Sequence, residues 1–121
     1  ANPYRKDLQK AKNREEVVYP PQQGNISRVR NKKTGKYYFK NKNGEIITDR
    51  RFEQAGDFYF GRAKVKKNGK WGYIDTNGNL VIDFIYESAE DFRKNVWEER
   101  KEAIVTLDGK EFAIDKNGNR W

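Results

Sequence analysis

An all-β fold built from tandem three-stranded antiparallel units is what this sequence predicts, and three observations predict it. One phrase recurs: "GKYYFKNKNGE" at 35–45, "GKWGYIDTNGN" at 69–79 and "GKEFAIDKNGN" at 109–119. Between the recurrences, short runs of alternating polar and apolar residues are punctuated by Asn-Gly steps, the pattern of hairpins. The chain is also lean, 35% apolar against 36% charged. That suits a stack of thin units, each burying one face against its neighbour.

The repeat survives a test of register. Residues 35–58 slide onto 69–92 by 34 positions without a gap, and nine of 24 positions are identical. A third copy, shifted by 40, matches at seven of 13 positions. The six extra residues fall in 93–101, "RKNVWEERK", a polar connection with Trp97 embedded in it. Units of about 26–61, 62–99 and 100–121 follow, stacked as a solenoid or curled like blades.

Taken in order, residues 1–25 form a leader. Tyr4, Leu8 and Ala11 sit at helical spacing, predicting a short helix or an irregular segment. "YPPQQG" ends it as a linker, and the leader serves as a cap of the stack or a tether. In the central unit "RAKVK" (62–66) alternates as a half-buried strand, and "KNGK" turns tightly because Asn-Gly accepts positive φ. "WGYID" (71–75) is the second strand and "TNGN" the next turn. "LVIDFIY" (80–86), apolar on both faces, is expected to be the most buried strand. "ESAEDF" (87–92) reads as a helical turn or bend leading to the next unit.

The central motif is Val65, Asn68, Gly69, Lys70, Trp71, Gly72, Tyr73, Ile74, Asp75, Asn77, Gly78, Val81, Ile82, Tyr86, Ala89 and Phe92. It resembles the bacterial WG-repeat (KWG-repeat) family. The first unit departs from it with Tyr37-Tyr38, the third with Glu111-Phe112. The resemblance implies an all-β repeat module, common in bacterial proteins and often exported or appended to other domains, with no catalytic activity or binding residues to carry over. "GKYYFKNKNGEIIT" is also similar to choline- and glucan-binding repeats, but those recur about every 20 residues, so the spacing favours the WG family.

Composition narrows the chemistry. The chain has neither Cys nor His, which removes disulfides, thiolate metal sites and the side chain that titrates near neutral pH. No run of 18 apolar residues exists to span a bilayer. The chain starts at Ala1 and lacks Met, so it reads as a processed or excised piece from which an export signal can have been removed. The net charge of +8 is polarised: residues 1–36 carry ten Lys/Arg against three Asp/Glu, while 76–99 carry two against six.

Candidate sites follow from these patterns. A shift of 34 places Arg28, Arg30 and Lys32 over Arg62, Lys64 and Lys66, alternating with Val29, Ala63 and Val65. That predicts a basic ladder on an outer face, suited to anionic polymer or glycan, or simply to solvent. Tyr37, Phe39, Trp71 and Tyr73, with Phe112, offer an aromatic platform, which repeat stacking favours as core. "DTNGN" and "DKNGN" faintly resemble calcium loops, yet Asp before Asn-Gly more often fixes a turn. Asp83, Glu87 and Asp91 recur as Asp49, Glu53 and Asp57, which marks them as structural rather than catalytic, since an active site is built once. No metal site, cofactor or nucleic-acid signature is readable. The expected function is a non-enzymatic module for protein–protein interaction or assembly, periplasmic, cell-surface or secreted, with no membrane insertion. The alternative is an anionic-polymer or glycan binder acting through the basic ladder.

Overall fold

The structure, a computed structural model, describes residues 15–19 and 25–121. The leader helix expected at Tyr4, Leu8 and Ala11 lies outside the described residues. Among those, no α-helix occurs, and eleven strands form: β1 (Glu15–Tyr19), β2 (Ser27–Asn31), β3 (Tyr37–Lys40), β4 (Gln54–Ala55), β5 (Ala63–Lys67), β6 (Lys70–Ile74), β7 (Leu80–Tyr86), β8 (Ser88–Ala89), β9 (Arg93–Asn95), β10 (Arg100–Leu107) and β11 (Lys110–Ile114). They build three antiparallel sheets, β1-β2-β3, β4-β5-β6-β7 and β8-β10-β11, with β9 paired to β10.

The hairpin at Asn68-Gly69 closes on the turn expected of it, and Asp108-Gly109 closes the equivalent hairpin of the third unit. Asn68 and Gly69 take φ of 51° and 79°, and Asp108 and Gly109 take 52° and 76°. Positive φ at both central residues gives the turn whose twist matches the flanking strands. The first hairpin is longer: Asn31 bonds across to Lys36, and the Asn31 side chain accepts the Lys33 and Thr34 N–H groups.

That extra length corrects the register of the first strands. Lys66 lies opposite Trp71 and Lys64 opposite Tyr73, whereas Arg30 lies opposite Tyr37 and Arg28 opposite Phe39. Tyr37 and Trp71 are equivalent, so Arg28 corresponds to Lys64 and Arg30 to Lys66. The shift is 36 before the hairpin and 34 after it.

The connectors are strands. "ESAEDF" bends at Glu87 but holds no helical turn: Ser88 and Ala89 pair with Thr106 and Val105, as Gln54 and Ala55 pair with Lys66 and Val65. Each sheet therefore begins with the connector of the preceding unit. β1 fills the same place on the first sheet, where Val17 pairs with Val29. Residues 15–19, read in the sequence as part of the leader, are thus a strand of that sheet.

Apolar residues gather in two clusters, one on each side of the central sheet. Ala63, Val65 and Ile74 bury against Phe39, Phe52 and Phe58 of the first unit, with Leu80 and Phe84 packed alongside. Tyr73, Ile82 and Tyr86 bury against Ala103, Val105 and Ile114 of the third. β7 is apolar on both faces because it serves both clusters, but it is not the most buried strand. It lies at the end of its sheet, only Ile82 and Tyr86 are buried, and Ile85 is exposed. The same aromatic contact recurs in both clusters: Phe39 meets Phe58 edge-on at 5.2 Å between centroids, and Tyr73 meets Phe92 at 4.9 Å.

Candidate functional site

The six basic residues do not form one outer row. Lys64 and Lys66 share a sheet face with Tyr73 and Trp71, the face turned toward the third unit. Arg28 and Arg30 share theirs with Phe39 and Tyr37, turned toward the second. Arg28 Nη1 donates to Ala55 O at 2.6 Å, with Asp57 3.8 Å from its Nε. Lys64 Nζ donates to Ala89 O at 3.3 Å and lies 5.2 Å from the Trp71 ring. At equivalent positions, then, a cation ties the connector to its own unit. Arg62 precedes β5 and donates from Nε to Lys116 O at 2.8 Å, in the third unit. Lys32 stands in the long first turn. The face reading failed because alternation with Val29 and Val65 tells which residues share a face, not which face meets solvent.

The aromatic set is divided. Phe39 and Tyr73 are buried, and the Tyr73 hydroxyl donates to Glu90 O at 2.6 Å. Burial, with the Asp91 carboxylate adding, pushes that phenol well above its usual range. Tyr37 and Trp71 are half-buried and pack on the two clusters.

The recurring carboxylates hold turns and connectors. Asp75 Oδ1 accepts the Asn77 and Asn79 N–H groups at 2.9 Å, and Asp115 repeats the arrangement. Asn41 does the same in the first unit, so the motif needs an acceptor rather than a charge. Glu53 accepts from Gly69 N at 3.0 Å and Glu87 from Gly109 N at 3.2 Å, each connector steadying the next hairpin. Burial pushes the Asp91 carboxyl up, opposed by Lys64 and Arg28.

What the repeat does not explain is the hairpin β9–β10, which contains the six extra residues. At its root Glu102 is 2% exposed. Its carboxylate accepts from Asn95 Nδ2 at 2.8 Å, Arg100 Nε at 3.0 Å and Arg93 Nη2 at 3.3 Å. The Asn95 amide leads these donors in holding the carboxyl below its ordinary range, against the opposing effect of burial. At the tip Asn95 Oδ1 accepts the Trp97 and Glu98 N–H groups, both at 3.1 Å. Trp97 is 92% exposed and Val96 66%. A braced hairpin therefore holds an indole out in water, where it contributes nothing to packing. Sequence reasoning passed over Trp97 as a residue in a polar connection. The available signal was its falling inside the six-residue insertion that lengthens the repeat from 34 to 40.

Glu102→Gln is expected to cost about 2 kcal/mol at pH 7, because one acceptor is replaced by a donor facing two guanidiniums. The folded carboxyl titrates below the unfolded value of about 4.3. Its contribution is therefore complete above that pH and fades as pH falls through the folded value. Urea melts of both proteins between pH 7 and pH 3 check this, and the gap between them should close at the acid end.

A family model described as "WG containing repeat" matches residues 39–71 and 71–110. No curated protein and no solved structure matches the chain.

Proposed function

The chain belongs to the WG containing repeat family, and on that premise we propose that it is a non-enzymatic module that binds another protein, within a bacterial protein that is exported or sits in the envelope. The recurring Trp, Tyr, Gly, Asp and Glu positions are spent on turns, connectors and the two clusters, so the working surface belongs to what does not recur. The observation that carries the reading is Trp97, an exposed aromatic on a hairpin whose root is fixed by a buried carboxylate. Tryptophan is among the residue types most enriched in the few side chains that dominate protein interfaces. The second reading, polyanion binding through a basic ladder, draws less support from the geometry, since Arg28, Arg62 and Lys64 hold backbone carbonyls.

Capture from nuclease-treated extract of the source organism tests the proposal. Trp97→Ala is expected to fold with unchanged stability and to lose about thirtyfold in partner affinity, the hot-spot scale of about 2 kcal/mol. Retention of the same proteins by the variant would sink the reading. Capture only of anionic polymer, released as salt rises, would return attention to the basic residues.

A further inference from the structure

We propose that the partner presents an extended acidic segment that adds as a strand to the free edge of β9, with an apolar side chain laid against Trp97. The proposal rests on the protein-binding reading of this hairpin and specifies its chemistry. Among the described residues β9 pairs only with β10, through Arg93–Glu102, Lys94–Lys101 and Asn95–Arg100. Beside it lies an open cavity of about 290 Å³ lined by Arg93, Lys94, Asn95, Val96 and Trp97. Its lining is β9 itself and the first two residues of the turn that follows. A strand edge offers backbone donors and acceptors at a fixed spacing, and the group that meets them in register is another strand.

The sign of the partner follows from the same residues. No carboxylate lines this hollow, whereas Lys94 does, beside Arg93, whose guanidinium pairs with Glu102. Glu99 lines a separate cavity across the turn, with Arg100 and Lys101. A lysine on an edge strand repels a second copy of itself and admits an acidic strand. Glu98 and Glu99 adjoin Trp97 at the tip, which disfavours a uniformly anionic surface such as a bilayer. Rigidity completes the case: Glu102 fixes the root and Asn95 the turn, so the edge is formed before the partner arrives and little ordering cost falls on binding.

The test uses the full chain and a fluorescein-labelled eight-residue peptide alternating Asp and Val, read by anisotropy. Three control peptides accompany it: a Lys-for-Asp version, and two N-methylated at one or the other set of alternate amides. The acidic peptide should bind at low salt, and the Lys version should not. One of the N-methylated peptides should lose binding, because strand addition uses the amides on one edge only. Lys94→Glu and Trp97→Ala should each weaken binding about tenfold or more. Equal binding by both N-methylated peptides, or no binding by the acidic peptide, overturns strand addition. Binding to phosphatidylglycerol vesicles in place of the peptide overturns it in favour of a lipid surface. The two layers separate cleanly. If extract capture depends on Trp97 while the peptide fails, only strand addition falls. If capture is indifferent to Trp97, the protein-binding reading of the hairpin falls with it.

Discussion

Gly72→Ala is expected to destabilise the protein by about 3 kcal/mol, at the upper end of what overpacking costs. A Cβ at Gly72 would collide with the Ile82 carbonyl oxygen and stand 2.9 Å from Asp83 C and 3.0 Å from Asp83 O. These are backbone atoms of β7, so no side chain can swing aside. The pairing of β6 with β7 shifts register between Trp71 and Tyr73, where the two chains draw together over Gly72. The first unit supplies the comparison. It carries Tyr38 at this position, and its third segment pairs with the β3 backbone only through isolated bridges at Tyr37–Phe52 and Lys40–Ile46. The glycine after Trp71 is thus what lets a full third strand lie along the second. Its substitution should loosen β7, which carries Ile82 and Tyr86 into one cluster and Leu80 and Phe84 against the other. Urea denaturation checks the magnitude. A loss under 0.5 kcal/mol would mean that β7 is not seated this closely in solution.

Much of this architecture was legible because hairpins are local. Asn68-Gly69 specifies its turn by φ alone, and the alternation of Ala63, Lys64, Val65 and Lys66 specifies a strand. What escaped depends on what packs against what. The 34-residue shift holds from Gly35 onward, yet the longer turn after Asn31 displaces everything before it by two positions, and a two-residue slip preserves alternation. Arg28 over Arg62 therefore looks as regular on paper as Arg28 over Lys64, the pairing that occurs. Connectors such as Ser88–Ala89 are too short to carry a period. They become strands because Val105 and Thr106 offer an edge. Trp97 was visible as a letter but not as a site, since exposure is a property of the fold.

The repeated glycine of the second turn gives the sharpest measure of how the units seat on one another. Gly44 and Gly78 occupy the same turn position with φ of 81° and 83°, so an alanine at either meets the same backbone strain, about 1 kcal/mol. Their surroundings differ. Among the described residues nothing lies within 4 Å of a Cβ at Gly44, whereas at Gly78 it would collide with the Ile47 carbonyl oxygen and lie 2.8 Å from Ile47 C. The turn of the second unit thus presses on the backbone of the first. Gly44→Ala should cost about 1 kcal/mol and Gly78→Ala about 2 kcal/mol more. The difference isolates the contact between units, because local strain cancels in the comparison. Gly118 offers an intermediate: its φ is 88° and its Cβ would meet the Ile82 side chain at 3.2 Å, which can yield where a carbonyl cannot. Thermal melts of the three variants should rank Gly44→Ala, Gly118→Ala and Gly78→Ala in order of increasing loss. Equal losses would mean that the turn of the second unit does not press on the Ile47 backbone in solution, and that the first and second units are joined through the β4–β5 pairing and side chains instead.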